Sequence, residues 1–201
     1  MKKQFIAAAA IALGATSILG TSAQADEHMT LAEILLSDSD GDVDGFDTNQ
    51  NDFDIVTQAL LATDDLNGLA TAAGAEGALT VFLPTDKAFR ILVEDLGLGS
   101  IKDESDLFDA IVATVGAPAV SDILKYHVVA GVADSSVVAT LGGVDVSTLL
   151  EDATFQVQFK GGKQIRLVDA GGPGRDPIVR TVDITASNGV AHVIDRVLIP
   201  G

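Results

Sequence analysis

Cysteine is absent from this chain of 201 residues, so no disulfide can stabilise its fold. Small secreted scaffolds that lack a sufficient hydrophobic core depend on several disulfides, and the composition excludes that class. A chain of this length buries about 70% of its unfolded surface when it folds, which is enough for one domain with a real core. The core alone is therefore expected to stabilise the domain.

Positive charge is also scarce. The chain has 12 Lys and Arg residues against 29 Asp and Glu residues, and its formal net charge is −17. No Lys or Arg occurs between Lys3 and Lys87. Proteins that bind nucleic acid need a basic surface that displaces counterions from the phosphates. We therefore expect no polyanion as a partner, and no nucleic acid in particular.

The N-terminal segment has the three parts of a secretory signal peptide, over residues 1–25. Lys2 and Lys3 give the positive charge, residues 5–19 are apolar, and Ala23-Gln24-Ala25 is a small-residue cleavage site. The apolar part is shorter than the roughly 20 residues that a membrane span needs. The protein is therefore expected to be exported, periplasmic or extracellular, without a membrane span.

An acidic loop lies in the N-terminal arm that we assign to residues 26–52. Its carboxylates are spaced two residues apart and a glycine follows the third, as in the first half of a calcium loop: Asp40, Asp42, Asp44 and Gly45. The bidentate Glu of such loops is missing, and Asn51 stands in its place. Two interpretations stay open: a weak calcium site, or an acidic loop surrounded by solvent.

Helical patterns come before strand patterns along the chain. A helix with a capping box is predicted from Thr30, and later helices begin near Phe53, Leu66, Asp86, Ser105 and Pro118. Thr85 and Ser105 are expected to cap two of them. Strand patterns cover residues 80–83 and then 154–159, 165–168, 178–184, 190–194 and 196–199. This order predicts an α+β domain, a wedge or sandwich of mainly antiparallel strands with helices packed along one edge.

Three separated segments combine apolar and polar residues in a specific order. Residues 80–89 form a strand that Pro84 ends, followed by a helix. Tyr126-His127 stands where a helical pattern gives way to a strand, and residues 188–195 form an Asn-Gly turn followed by a strand that carries His192. Over residues 53–200 these segments resemble the fasciclin domain. The resemblance implies one fasciclin-like domain at 53–201 in a secreted, single-domain protein of bacterial type.

The resemblance implies a non-catalytic adhesion or matrix-binding module, monomeric, whose partner is a cell-surface or matrix protein or a polysaccharide. In animal relatives, adhesion is attributed to the Tyr-His pair and to an Asp-Ile dipeptide. The corresponding candidates here, with two polar residues of the last segment, are Tyr126, His127, Asp183, Ile184, Asn188 and His192. For the histidines we favour hydrogen bonds inside the fold over ligand contacts, and for Asn188 a local turn bond.

A soluble carrier of an apolar ligand, such as a carotenoid or lipid, is the alternative function. Some proteins of the fasciclin type have this role, and Leu83, Phe89, Leu92 and Val129 are the residues expected to line such a slot. The same residues would also form an ordinary core. Sequence motifs of nucleophile elbows, phosphate loops and zinc proteases are absent, so no enzyme is predicted and no cofactor other than calcium is considered.

Overall fold

The computed structural model describes residues 29–38, 45–63, 65, 78–161, 164–172 and 174–201. The predicted signal peptide lies outside these residues, and so does the predicted helix at 66–73. The calcium candidates Asp40, Asp42 and Asp44 also lie outside them. These predictions, and the domain boundaries, stay predictions.

Helices dominate the first part of the described chain and strands the second. The helices are α1 (Leu31–Asp38), α2 (Asp54–Ala62), α3 (Asp86–Asp95), α4 (Glu104–Val115), α5 (Ala117–Tyr126) and α6 (Ser135–Val138). The strands are β1 (Leu79–Pro84), β2 (Val128–Ala130), β3 (Asp145–Ser147), β4 (Thr154–Lys160), β5 (Gln164–Val168), β6 (Val179–Ala186) and β7 (Gly189–Ile194).

The strands form two sheets, in the orders β2-β1-β7-β6 and β3-β4-β5. Strands β1 and β7 pair in parallel, and the other pairs between named strands are antiparallel. The predicted α+β class with mainly antiparallel strands is confirmed. The central parallel pair brings two of the three sequence segments side by side, with Phe82 opposite His192.

The central sheet separates two hydrophobic clusters. Alternate residues of a strand face opposite sides of its sheet. Val81 and Leu83 accordingly pack with the helices, whereas Phe82 packs with Phe155 and Leu167 of the second sheet. Every residue of β1 and β7 is buried, as expected for strands covered on both faces. The helices therefore cover one face of the central sheet and the small sheet covers the other.

Helix α1 is part of this core. Leu31, Ala32 and Leu35 are buried in the helix-side cluster. The predicted capping box is confirmed: the Thr30 N–H donates to Glu33 Oε2 at 2.8 Å, and the Glu33 N–H donates to Thr30 Oγ1 at 3.2 Å. The N-terminal arm thus packs on the domain over these residues.

Three local predictions were wrong. Helix α3 begins at Asp86 as expected, but the Thr85 side chain makes no capping bond. Helix α4 begins one residue before Ser105 and is capped by Asp103, which accepts the Ser105 and Asp106 N–H groups. Residues 196–199 are not a strand. Within the described residues, no single helix is long and apolar enough to cross a membrane, although the bent pair α4 and α5 together satisfies length and composition.

Candidate functional site

His192 lies on β7 in the interior of the protein. Its Nε2 is 2.8 Å from the Ala133 carbonyl oxygen, and its Nδ1 accepts the Asp183 N–H at 3.2 Å. The ring is therefore neutral, with the proton on Nε2, because a carbonyl can only accept. Burial lowers the pKa of His192. Both ring nitrogens are used inside the fold.

His127 has the opposite tautomer. It follows the last residue of α5, and its Nδ1 donates to the Ile123 carbonyl at 2.7 Å. Its Nε2 accepts the Leu198 N–H at 2.9 Å, which ties the C-terminal segment to α5. Burial lowers the pKa of His127 from 6.5 to about 4. His127 is therefore neutral at physiological pH, and its ring links α5 to the C-terminal segment.

Tyr126 is the last residue of α5; its side chain points to the second sheet, and the residue is only 1% exposed. Its hydroxyl donates to the Thr154 carbonyl at 2.7 Å, and its ring meets the Phe155 ring edge to face at a centroid distance of 6.2 Å. Such a pair adds to the stabilisation from burial alone. The side chain connects the two layers of the fold and is not on the surface.

Asn188 makes a long-range bond. Its Oδ1 accepts the Leu31 N–H at 2.8 Å. The predicted local turn bond did not include this contact with Leu31, the first residue of α1, where backbone N–H groups lack partners within the helix. Gly189 is required next to it, because a Cβ there would collide with the Leu79 carbonyl oxygen. The Asn-Gly turn joins α1 to the central sheet.

Asp183 and Ile184 form an irregular point of β6. Asp183 has φ of 61°, a left-handed conformation that Asp and Asn adopt more readily than most residues. Its Oδ1 accepts the Ser135 N–H at 2.7 Å, and its Oδ2 accepts the Ser135 hydroxyl at 2.5 Å. Ile184 is buried. The Asp183 carboxylate therefore binds the first residue of α6, and the Asp183 N–H donates to His192.

A group of acidic residues at the N-terminal ends of α2, α3 and α4 was not found from the sequence. Carboxylate oxygens of Asp52, Asp54 and Asp86 lie within 4.8 Å of one another, and so do those of Asp47, Asp54 and Glu104. Glu104 pairs with Arg90 at 3.0 Å. Asp86 Oδ1 accepts the Ile55 N–H at 2.9 Å at the start of α2.

Burial raises the pKa of Asp86, and the neighbouring Asp52 carboxyl raises it further. Carboxylates this close need either a shared proton or a cation between them. By geometry, Asp52, Asp54 and Asp86 are thus candidate ligands for a divalent cation as well as for a shared proton. A pair of Asp residues within an acidic stretch was the available sequence signal, but Asp86 lies more than 30 positions further along the chain.

A cleft of about 400 Å³ opens beside α3, at the end of the central parallel pair. Its walls come from distant parts of the chain: Asn51, Thr85, Lys87, Ile91, Arg175, Arg180, Thr181, Val193, Ile194 and Asp195. Arg175 Nη2 binds Asp195 Oδ2 at 2.6 Å, and Arg180 binds the same oxygen through Nε at 2.9 Å. Burial acts to raise the pKa of Asp195, but hydrogen bonds from Arg175, the Ile178 N–H and Arg180 together lower it. We call this site the basic cleft.

A fasciclin domain model matches residues 51–200. The chain belongs to the fasciclin domain family. Fasciclin domains are in general non-catalytic modules of adhesion proteins, typically extracellular or on the cell surface.

Two curated proteins of Synechocystis sp. are similar to this fasciclin domain. Protein sll1483 is 31% identical over 201 residues, which cover 98% of this chain and 94% of that protein. The uncharacterized protein sll1735 is 33% identical over 128 residues, which cover 62% of this chain and 75% of that protein.

The fold also matches a solved structure, the FAS1 domain pair from the insect cell adhesion molecule Fasciclin I. The TM-score is 0.58 at 17% identity, and the match covers 85% of this chain and 51% of that one. This fasciclin domain thus spans about half the length of that domain pair. The similarity supports the fold.

The residues proposed for a carrier slot do not meet in this fasciclin domain. Leu83, Phe89 and Leu92 pack in the helix-side cluster, whereas Val129 packs against the cluster between the sheets. An apolar cavity beneath Phe89 and Leu92 has a volume of about 20 Å³. Ligand pockets have volumes of roughly 300–1,000 Å³. Leu83, Phe89 and Leu92 are core residues, and Val129 is partly buried against the other cluster.

Proposed function

We propose that this fasciclin domain is an exported adhesion module that contacts a cell-surface or matrix polymer, a protein or a polysaccharide. The observation that carries the proposal is the family membership over residues 51–200. The signal peptide pattern at residues 1–25 supports export to the periplasm or beyond. Fold similarity alone would not support a function.

The internal use of the polar residues agrees with a binding role without catalysis. A catalytic histidine needs a ring nitrogen within reach of a substrate. Both nitrogens of His127 and of His192 bond to the protein's own backbone. Adhesion would then depend on surface groups, and the buried candidate residues would stabilise the fold that positions those groups.

Binding to surface polymers tests the proposal. The protein is immobilised, and isolated envelope and matrix fractions of its own organism are passed over it, with an acidic protein of similar size and charge on a reference surface. Saturable retention that free protein competes away is the expected result. Retention no greater than that on the reference surface contradicts the proposal.

A further inference from the structure

The basic cleft concentrates positive charge on a strongly acidic protein. Three of the chain's 12 basic residues line it, against one carboxylate, that of Asp195. Lys87 is exposed, and among the described residues its ammonium group has no ion-pair partner. The net charge of −17 means that an anion is attracted where the cations cluster and repelled elsewhere.

The arginines of the cleft keep donors available after binding Asp195. Arg180 uses Nε and Nη2 on that carboxylate, and Arg175 uses its two Nη atoms. Their side chains are 52% and 46% exposed. Within the part of the chain that the structure describes, Arg180 Nη1 bonds to no protein acceptor. Asp195 thus fixes both guanidinium groups at the cleft without using all their N–H groups.

The remaining walls suit a sugar ring. Ile91, which is partly exposed, offers an aliphatic surface for the C–H groups of a pyranose, and Thr85 and Thr181 offer hydroxyl groups. The Thr85 hydroxyl is available because it does not cap α3. Sites of this size bind ligands through an apolar surface and a few polar groups that set orientation. Cationic side chains then select a carboxylate on the ring.

We propose that the basic cleft binds the carboxylate of an acidic sugar, a uronate unit of a surface or matrix polysaccharide. This inference rests on the proposed function and names the class of polymer. Lys87 and Arg180 bind the carboxylate, and Ile91 packs against the ring.

Calorimetric titration of the full chain tests this inference at low ionic strength. The ligands are trigalacturonate and, as a neutral control, maltotriose. Lys87→Ala and Arg180→Ala remove the proposed partners, and Lys160→Ala removes one exposed positive charge from the end of β4. Far-UV circular dichroism shows that each variant is folded.

Trigalacturonate is expected to bind and maltotriose to bind at least tenfold more weakly. Lys87→Ala and Arg180→Ala should each raise the Kd for trigalacturonate about tenfold or more, and Lys160→Ala less than twofold. Absence of trigalacturonate binding at millimolar concentration, or an equal effect of all three variants, overturns the inference. Equal or tighter binding of hexaglutamate, with the same variant pattern, overturns the sugar class in favour of an acidic peptide. If Lys87→Ala binds envelope fractions as well as wild type does, this inference fails while the proposed function stands.

Discussion

Asn188 Oδ1 accepts a hydrogen bond from the Leu31 N–H across 157 residues of chain, at 2.8 Å. The bond joins the first residue of α1 to the turn before β7. It explains how a short N-terminal helix is held on the domain: its apolar face packs in the core, and its first N–H group is satisfied by a buried amide. The helix and the turn are therefore one structural unit.

Replacing Asn188 should weaken the attachment of α1 to the turn before β7. Asn188→Ala leaves the buried Leu31 N–H without its acceptor, so the free energy of unfolding should fall by about 1–3 kcal/mol. Chemical denaturation followed by circular dichroism measures it. The exposed neighbour serves as control: Ser187→Ala should change stability by less than about 0.5 kcal/mol. Equal stability of the two variants would show that the bond contributes nothing.

His127 should make the protein sensitive to acid. Its folded pKa of about 4 is below the unfolded value of 6.5, so the unfolded state binds more protons between these pH values. Stability from this group is therefore complete above pH 6.5 and is lost as the pH falls towards 4, by about 3 kcal/mol in total. His192 has the same sign.

The test compares wild type with His127→Gln, which does not titrate. The difference in free energy of unfolding, wild type minus variant, should decrease steadily from pH 7 to pH 4. Chemical denaturation at four pH values measures it. A difference that is constant over this range would mean that the histidine titrates alike in the folded and unfolded states.

Asp86 should act in the opposite direction. Its pKa is raised, so the folded state holds a proton that the unfolded state releases above pH 3.8. The stability that this proton gives is present in acid and is lost as the pH rises. Asp86→Asn mimics the protonated form and keeps an oxygen for the Ile55 N–H. The variant should equal wild type near pH 4 and be the more stable protein at pH 8.

Calcium distinguishes the two states of this acidic group. If a cation lies between Asp52, Asp54 and Asp86, millimolar calcium raises the melting temperature of wild type but not of Asp86→Asn. Our account, with a shared proton, expects the same melting temperature of the wild type with calcium or with chelator.

The pH series has its own contradicting outcome. If Asp86→Asn is less stable than wild type by a constant amount from pH 4 to pH 8, Asp86 is ionised throughout this range.

Asp183 separates a structural role from direct adhesion. Asp183→Ala loses two bonds to Ser135 and places alanine at φ of 61°, so stability should fall by about 2–4 kcal/mol. Asp183→Asn keeps an acceptor and tolerates the conformation, so it should cost less than half as much. Thermal denaturation measures both variants.

Adhesion of the same two variants tests whether Asp183 contacts a partner. We expect Asp183→Asn to bind envelope fractions like wild type, because the carboxylate accepts hydrogen bonds from Ser135 of α6 and does not contact a ligand. Loss of binding by a variant that retains its melting temperature would assign Asp183 to the adhesion surface and contradict a purely structural role.

Much of the fold could be predicted because its elements have regular local patterns. The alternation of Phe155 and Val157 identified β4, and the apolar run ended by Pro84 identified β1. Residues 196–199 look like a strand for the same reason. There the Leu198 and Ile199 N–H groups bond to side chains of His127 and Asp169 instead of a neighbouring strand. Local pattern carries no information about such partners.

The basic cleft could not be predicted for a related reason. Lys87 follows β1, Arg180 lies at the start of β6, and Asp195 follows the end of β7, about a hundred residues later. The parallel pairing of β1 with β7 and the antiparallel pairing of β7 with β6 bring them together. Parallel strands are joined by long connections, so residues that meet at their ends are distant in sequence. The net charge of −17 also favours the expectation of no polyanionic partner, because an overall charge does not show where a few cations cluster.

Adhesion of protein-coated beads to cells tests the central claim most directly. Beads carrying the protein at a fixed density are incubated with cells of its own organism, washed under constant flow and counted, beside beads coated with an acidic protein of equal charge. The account predicts that more of the fasciclin-coated beads stay attached and that free protein in excess releases them. Equal numbers on both sets of beads, unchanged by free protein, would contradict an adhesion function.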